Sequence, residues 1–405
     1  MKILFSAYVV DSHAGSEAQM AWFWIRSAAL AGHEVNVLTT PEYAEKLNIV
    51  IKVAGFENVR VLAVPTTSRL SMFPFEFEMY LTYLIWQRSL RRYIDEYGLG
   101  ECDLGHHTSW GNLGLGSGFA RTQIPYVFGP AGGGTIANPK LRYFFGKEYK
   151  IEVARSIILH MFKFMPFSRR SARNSTIMLA TNRPSSNLAK NLGAKNVKLF
   201  LADSIDAEQI FAVKQPKEKI VLFVARFMPR KGAVLAICGF SKVLQRFPDA
   251  RLVMIGDGPL LEQTIATANK LGVIENVEFT GKLPWVDVQK YYAESSVFLF
   301  TSLRDSFGAQ VMEAAAKGLP VVALEGGGAA EWVPKNGIWL ASIAAPSETI
   351  QNIADQICSV FELKADELEE VSHSLREFAQ ENSTLAKGRD MQKIYEEVSK
   401  FDTKR

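Results

Sequence analysis

The sequence has 405 residues, of which 48% are hydrophobic and 22% are charged. This length and composition exclude a disordered chain and are typical of a globular protein with two domains. The net charge of +4 is too small to indicate a nucleic-acid-binding protein. The three cysteines Cys102, Cys238 and Cys358 are far apart and form no metal-binding or redox motif, which favours a reducing cytosol.

The first apolar run, residues 3–10, is interpreted as a β-strand. It is short, ends at Asp11 and lacks a small-residue cleavage site, so it does not indicate a signal peptide. No window of about 18 apolar residues occurs in the sequence, so no transmembrane helix is predicted. We therefore expect a cytoplasmic protein, either free or peripheral on the inner face of the membrane.

A helix and a second strand, residues 34–39, complete a predicted βαβ unit at the N-terminus. The loop after the first strand lacks the G-x-G-x-x-G pattern, so a dinucleotide site is not supported. Gly15 and Ser16 would instead place the N-terminus of a helix at the carboxyl edge of the sheet, where ligands bind. A tight turn with an ordinary helix cap explains the same residues equally well.

Two adjacent histidines end a short predicted strand over residues 103–107. A histidine at a carboxyl edge can contact a sugar hydroxyl or a phosphate, and it can equally be a core residue bonded to the backbone. Side chains alternate along a strand, so only one of His106 and His107 can face a ligand. We favour His107.

A glycine-rich loop follows the next predicted strand, residues 126–128. Gly132, Gly133 and Gly134 permit unusual dihedral angles and a close approach of the backbone to a ligand. A flexible turn is the alternative interpretation.

Residues 140–173 combine many lysines and arginines with interleaved apolar side chains, against only Glu148 and Glu152. One interpretation is an amphipathic helix packed on its domain with a solvated basic face. The other is an interfacial segment attracted to an anionic membrane surface, which would suit a lipid-linked acceptor.

Strands and helices alternate again in the C-terminal half. Arg226 and Lys231 follow a buried strand and precede a helix, where cations form an anion site; exposed loop charges are the alternative. Gly281, Lys282 and Leu283 follow a later strand of the same half.

Residues 297–301 form a short apolar run that predicts a buried parallel strand. The segment 303–324 continues with a loop, a helix and the next strand, which starts at Val321. Ser306, Phe307 and Gly308 would present backbone N–H groups at the start of a helix whose first residue is Ala309. Asp305 lies before this helix and Glu313 within it. A carboxylate on an otherwise apolar helix needs a partner, and a ribose diol is a suitable one. An N-capping aspartate and a solvated surface glutamate are the alternative.

These residues resemble the signature of the retaining glycosyltransferases of family 4, which have the GT-B fold. The family pattern E-x-F-G-x4-E-A, followed by G-x-P-V-V, corresponds here to DSFGAQVMEA and GLPVV, with Asp305 in place of the first glutamate. The stretch SAYVVDSHAGSEAQMAW and the loop GPAGGG resemble a subgroup that acts in bacterial surface polysaccharide assembly.

The resemblance implies an α/β protein of two Rossmann-like parallel-sheet domains that face a cleft. The expected divisions are an N-terminal acceptor-binding domain (1–202), a linker (203–219), a C-terminal nucleotide-sugar-binding domain (220–385) and a last helix that returns to the first domain (386–405).

It also implies a retaining, metal-independent transfer of a sugar from a nucleotide diphosphate to a saccharide or lipid-linked acceptor, with no cofactor and no metal site. The residues to which it assigns catalytic roles are Arg226, Lys231, Asp305 and His107. Those assigned to donor binding are Gly15, Ser16, Gly281, Lys282, Leu283, Ser306, Phe307, Gly308, Ala309 and Glu313. Those assigned to the acceptor side are His106, Gly132, Gly133 and Gly134.

Two other functions are compatible with the sequence. A sugar epimerase or hydrolase could use the same scaffold, although a retaining hydrolase needs two carboxylates about 5–5.5 Å apart, which the loop and mid-helix positions of Asp305 and Glu313 disfavour. A non-catalytic partner subunit would bind the donor without turnover.

Overall fold

The computed structural model describes residues 1–11, 16–66, 75–108, 110, 112–212 and 218–401. The side chains of residues 16, 17, 75–77 and 79 also lie outside the description. The strands are β1 Lys2–Ser6, β2 Glu34–Thr39, β3 Val59–Ala63, β4 Leu104–His107, β5 Tyr126–Ala131, β6 Ile177–Ala180, β7 Val197–Leu199, β8 Ile220–Val224, β9 Arg251–Ile255, β10 Val277–Gly281, β11 Val297–Phe300, β12 Val321–Leu324 and β13 Ile338–Ala341. The helices are α1 Ser16–Leu30, α2 Pro41–Ala54, α3 Phe75–Glu96, α4 Arg142–Phe145, α5 Tyr149–Phe162, α6 Pro166–Asn174, α7 Arg183–Leu192, α8 Ala233–Val243, α9 Leu261–Lys270, α10 Trp285–Glu294, α11 Ala309–Ala316, α12 Gly328–Trp332, α13 Pro346–Phe361, α14 Ala365–Glu381 and α15 Thr384–Ser399.

The chain divides into two units, each assembled from separate stretches of sequence. Unit 1 consists of Met1–Gly134, Ile157–Ala202 and Lys387–Arg405. Unit 2 consists of Thr135–Ser156 and Asp203–Ala386.

Each unit is built on one parallel sheet. The order is β3-β2-β1-β4-β5-β6-β7 in unit 1 and β10-β9-β8-β11-β12-β13 in unit 2. Counted from the first strand of each unit, both sheets follow the doubly wound order 3-2-1-4-5-6, with one further strand in unit 1. The prediction of two Rossmann-like parallel-sheet domains is therefore confirmed. In such sheets, ligands bind where the strand order reverses, which here is beside β1 and β4 and beside β8 and β11.

The strands are short apolar runs because helices cover both faces of each sheet. All four residues of β11 and of β12 are buried. The core of unit 2 continues from these strands into α8 and α13. In unit 1, one core lies between the sheet and α1 and includes residues of α15, such as Met391 and Ile394.

The predicted N-terminal domain (1–202) included residues 135–156, but in the structure these residues cluster with unit 2. The reason is apolar packing: Ala137, Leu141 and Phe145 are buried in the core that contains β8 and α8. The basic segment 140–173 is therefore shared between the units, and it forms α4, α5 and nearly all of α6 rather than one helix.

No helix among the described residues combines the length and apolarity needed to cross a membrane.

Candidate functional site

A buried ion pair lies at the point where the strand order of unit 2 reverses. Lys231 Nζ donates a hydrogen bond of 2.5 Å to Asp305 Oδ2, and the two side chains are 10% and 18% exposed. Arg230 Nη1 lies 3.5 Å from the same oxygen, and the backbone N–H of Ser306 donates to Oδ1 at 2.9 Å. The pair joins the loop that follows β8 to the loop that follows β11.

The electrostatics keep Asp305 ionised. Burial alone would raise its pKa, but Lys231, Arg230 and the Ser306 N–H outweigh burial and hold the pKa of Asp305 below its usual value. Burial lowers the pKa of Lys231, and the charge of Asp305 opposes this effect. Because an ammonium group has three donors, Lys231 can keep Asp305 and still bind an anionic ligand.

The two loops approach each other closely because a glycine follows Lys231. Gly232 has φ +69°, and a Cβ atom there would lie 2.2 Å from the carbonyl oxygen of Thr301. The Thr301 hydroxyl donates to the Gly232 carbonyl at 2.9 Å, and the Leu303 N–H donates to the Arg230 carbonyl at 2.8 Å. A larger residue at position 232 would separate the loops and with them the ion pair.

Arg226 lies just beyond the end of β8, after Ala225, at the same edge, and it is exposed. With Arg226 and Lys231, this edge offers two cationic groups to an anion such as a diphosphate. Gly281 ends β10, and its carbonyl accepts the Gly256 N–H at 2.9 Å. Lys282 is exposed, and Leu283 is half-buried beside it.

The loop 305–308 leads into α11, which begins at Ala309. Phe307 is buried, so only its backbone can face a ligand. Gly308 has φ +109°, and a Cβ atom there would lie 2.6 Å from the ring of Phe300. Packing on Phe300 therefore fixes the start of α11, while Ser306 stays half-buried.

Both carboxylate oxygens of Glu313 accept hydrogen bonds. The Trp285 indole N–H donates to Oε1 at 2.9 Å, and the hydroxyl of Tyr292 donates to Oε2 at 2.8 Å. Burial raises the pKa of Glu313, and the two hydrogen bonds oppose that shift. Each oxygen has a further lone pair, so ribose hydroxyls could still bind here. Sequence reasoning did not find Trp285 and Tyr292, because only the fold brings α10 to α11.

His106 is a core residue rather than part of an acceptor-side surface, which corrects the sequence-based assignment. Its Nε2 lies 2.6 Å from the Gly129 carbonyl, and its Nδ1 lies 2.7 Å from the Tyr395 hydroxyl. A carbonyl only accepts, so Nε2 carries the proton and Tyr395 donates to Nδ1. Burial lowers the pKa of His106 to about 4, although the bond to Gly129 opposes the shift.

His107 projects to the other face of β4. Its Nε2 lies 3.2 Å from the Tyr83 hydroxyl, and its ring packs on Phe128. It is buried as well, and its assignment to catalysis remains a prediction.

The glycines of the triple-glycine loop have packing reasons within unit 1. A Cβ atom on Gly133, which has φ +102°, would lie 2.5 Å from the side-chain oxygen of Asn112. One on Gly134 would lie 2.3 Å from the Pro184 carbonyl. Gly132 is buried and pairs with Asn112 in an isolated bridge. These contacts explain the glycines without a ligand, so their acceptor-side role remains a prediction.

Of the predicted pair at the start of α1, Gly15 lies outside the described residues. Ser16 is the first residue of α1, and its side chain is outside the description.

Sequence reasoning missed an aromatic cluster in unit 1, at the edge where β1 and β4 end. Tyr83 stacks on Trp110 with ring centroids 4.7 Å apart, and Tyr8 and Tyr80 meet Trp110 edge-on at 5.5 and 5.3 Å. Trp110 has φ +32° and is the one described non-glycine residue with positive φ. Such strain often occurs at functional sites. Tyr80 is exposed.

Among the residues that the structure describes, no group of three or more His, Cys, Asp or Glu side chains could hold a metal ion.

Solved structures with this fold cover nearly the whole chain. The Anabaena protein Alr3699/HepE in complex with UDP has a TM-score of 0.65 at 16% identity, covering 98% of this chain and 100% of that one. The sucrose-phosphate synthase of Thermosynechococcus elongatus has a TM-score of 0.68 at 16% identity, covering 98% of each chain. The chain therefore has the GT-B fold.

The family comparison concerns the C-terminal half. Residues 205–382, which lie within unit 2, match the family "Glycosyl transferases group 1". This confirms the predicted resemblance at the level of a GT-B glycosyltransferase.

A curated relative also matches over part of its length. This is the GDP-mannose-dependent alpha-(1-6)-phosphatidylinositol monomannoside mannosyltransferase of Mycolicibacterium smegmatis, which is 36% identical over 121 residues. The match covers 28% of this chain and 32% of the relative. The chain thus spans about a third of the length of that relative.

Proposed function

We propose that the protein is a retaining, metal-independent glycosyltransferase that moves a sugar from a nucleotide diphosphate donor to an acceptor hydroxyl. The observation that carries the proposal is the paired site of Lys231 and Asp305 at the strand-order reversal of unit 2, beside the exposed Arg226. This site lies within the stretch that matches the group 1 glycosyl transferases.

Arg226 and Lys231 would hold the diphosphate. Charge builds up on the departing phosphate in the transition state, and prepositioned cations stabilise it there more than in the ground state. Lys231 is prepositioned by its bond to Asp305, so it need not reorganise during the reaction. In the resembling family, the departing phosphate takes the proton of the acceptor hydroxyl, and the same route is proposed here.

Glu313 would hold the ribose. It must be ionised to accept two hydroxyl hydrogens, and the Trp285 and Tyr292 bonds favour the ionised form. Asp305 and the N–H groups of residues 306–308 would orient the donor sugar. The residues Gly281, Lys282 and Leu283 would contact the base.

The names of the relatives point to different nucleotides. The mycobacterial relative is GDP-mannose-dependent, whereas the Anabaena protein was crystallised with UDP. Calorimetric titration with UDP, GDP, ADP and dTDP identifies the nucleotide. Wild type should bind one of them, and both Lys231→Ala and Glu313→Ala should weaken that binding.

The matched control for the titration is Lys270→Ala, which removes an exposed lysine at the end of α9. Failure of wild type to bind any of the four nucleotides contradicts the donor site. Donor binding without turnover on any acceptor would indicate a non-catalytic subunit instead.

For the acceptor, we propose a saccharide or lipid-linked saccharide in bacterial surface glycoconjugate synthesis. The aromatic cluster around Trp110 supports this, because sugar rings pack on aromatic faces while polar tips bond their hydroxyls. Trp110→Ala should raise the acceptor KM and leave nucleotide affinity unchanged.

We further propose that the protein is cytoplasmic and binds anionic membranes through part of residues 140–173. Phe164 is 79% exposed, and Ile157, Ile158 and Met161 of α5 are exposed as well. A groove beside Phe164 is lined by Arg169, Arg170 and Arg173. Apolar side chains next to arginines match an anionic lipid surface.

Sedimentation with vesicles tests the membrane proposal. The protein should co-sediment with vesicles that contain anionic lipid and not with neutral vesicles. Phe164→Ser should reduce the fraction of protein that co-sediments. Equal behaviour with both vesicle types would contradict it.

A further inference from the structure

A segment from the N-terminal half of the chain packs against both loops of the proposed donor site. Within unit 2, α4 contacts the turn Pro229–Lys231, which carries the lysine of the site. Leu141 and Phe145 fix this contact, because both are buried in the core of unit 2. Lys140 Nζ donates to the Ile343 carbonyl at 3.3 Å, which secures the same segment beyond β13.

The same segment holds the second loop through an ion pair. Arg304 Nη2 donates to Glu152 Oε1 at 3.2 Å, and Arg304 Nε lies 2.7 Å from Oε2. The second approach is a charge contact rather than a well-aligned hydrogen bond. Arg304 immediately precedes Asp305, so the residue that pairs with Glu152 and the residue that pairs with Lys231 are consecutive on one loop.

Burial distinguishes this pair from ordinary surface pairs. The side chains of Arg304 and Glu152 are 17% and 11% exposed. Both residues of the pair Arg246–Glu362, also in unit 2, are 50% exposed. An exposed pair contributes little, whereas removing one partner of a buried pair leaves a charge without its counterion. The position of Arg304 is therefore tied to Glu152.

We infer that residues 135–156 are a positioning element for the donor site, and that the Glu152–Arg304 pair sets the position of Asp305. The inference rests on the proposed function, and it adds a determinant of donor affinity that no motif marks. Glu152 is a positioning residue, since it acts through Arg304 and touches no reacting atom.

The physical consequence follows from the loop geometry. Without the carboxylate of Glu152, Arg304 must turn toward solvent, which displaces Asp305 and releases Lys231 from its prepositioned place. Loss of one charge-assisted hydrogen bond corresponds to about a tenfold change in an equilibrium constant. Donor binding should suffer first, so KM for the donor should rise more than kcat falls.

The test compares four full-length proteins: wild type, Glu152→Gln, the charge-reversed double variant Glu152→Arg with Arg304→Glu, and the control Glu362→Gln. Glu362 pairs with Arg246 at the amino-terminal edge of the sheet, away from the donor loops. The probe is whichever of UDP, GDP, ADP and dTDP wild type binds most tightly. Calorimetric Kd is measured below the unfolding range of every variant.

Glu152→Gln should raise the nucleotide Kd about tenfold. The double variant should reverse at least half of this increase in log Kd. Glu362→Gln should bind like wild type. Unchanged Kd in folded Glu152→Gln overturns the inference and leaves the proposed function intact. A wild type that binds no nucleotide overturns both.

A further variant, Arg304→Lys, tests the inference if Glu152→Gln does not fold. Arg304→Lys keeps the charge but loses the planar two-point contact. It should raise the nucleotide Kd by a smaller factor than Glu152→Gln does, while the unfolding temperature stays near that of wild type. A wild-type Kd in Arg304→Lys, together with an unfolded Glu152→Gln, would make the pair a stability element only and overturn the inference.

Discussion

The two sheets share one strand order but differ in what lies at their carboxyl edges. At the edge of unit 2, charged side chains meet: Lys231 with Asp305, and Glu313 with its two donors. At the edge of unit 1, aromatic rings surround Trp110, and His106, whose two ring nitrogens are both hydrogen-bonded, is held neutral.

The difference shows that topology alone supplies a place for a ligand and not its chemistry. Paired charges with prepositioned donors suit an anionic nucleotide, and aromatic faces suit a sugar. The predictions below test whether this division of labour between the units holds.

The largest expected effect is on turnover when the cation of unit 2 is removed. Lys231→Ala should reduce kcat by about 10²- to 10³-fold, because a prepositioned donor to the developing charge is lost. Steady-state kinetics with the identified donor measures it, with Lys270→Ala as the control. A wild-type rate in Lys231→Ala would show that Lys231 does not stabilise the transition state.

For unit 1, His106 should affect stability rather than chemistry. Its folded pKa of about 4 lies below the unfolded value, so the unfolded chain binds the extra proton as the pH falls. Between about pH 6.5 and 4, this residue should cost the folded state roughly 3 kcal/mol.

Urea unfolding at pH 7.5 and pH 5 measures this dependence in wild type and in His106→Gln. The free energy of unfolding of the variant should depend less on pH than that of wild type. The difference between the two proteins at pH 7.5 measures the packing that the substitution removes. An identical pH dependence in both proteins would contradict a neutral, buried His106.

Two glycines in unit 2 allow the steric cost of an added side chain to be compared with the cost of its backbone conformation. Gly232 and Gly272 have φ of +69° and +67°, but only at Gly232 does an added Cβ meet backbone, the Thr301 carbonyl at 2.2 Å. Gly232→Ala should therefore destabilise the protein by roughly 2 kcal/mol more than Gly272→Ala, and it should also weaken nucleotide binding. Equal costs would show that the loops can separate freely.

The smallest expected effect concerns Glu313. The Trp285 N–H lowers the pKa of Glu313, so Trp285→Phe should raise it further. Nucleotide affinity is lost as the pH falls through this pKa, because ribose hydroxyls need the ionised form. The midpoint of that loss should therefore move to higher pH. Titrations across pH measure it, with Trp22→Phe in unit 1 as the control; an unmoved midpoint would separate Trp285 from the ribose site.

Much of the architecture could be predicted from the sequence, because buried parallel strands are short apolar runs with turn residues behind them. The residues 297–300 and 321–324 illustrate this, since their pattern alone indicates strands. The candidate donor-site residues Arg226, Lys231, Asp305 and Glu313 could also be selected from the sequence, because their motifs are local, and their roles stay predictions.

Contacts across long sequence separations could not be predicted. Period-2 alternation shows that His106 and His107 face opposite ways, but only the position of α15 brings Tyr395 to His106. The same applies to Glu152 and Arg304, which are 152 residues apart. Apolar patterning identified 140–173 as amphipathic without showing that its first part is buried in unit 2.

The discontinuous make-up of the units has a consequence for synthesis on the ribosome. Unit 2 has all its residues once position 386 has left the exit tunnel, whereas unit 1 still lacks the part of α15 that begins at Lys387. Met391, Ile394 and Tyr395 fill a core whose other walls were made first. Although domains usually fold from the N-terminus onward as they emerge, the unit that is translated first here is completed last. Nascent chains stalled before position 387 should expose this incomplete core to chaperones and proteases.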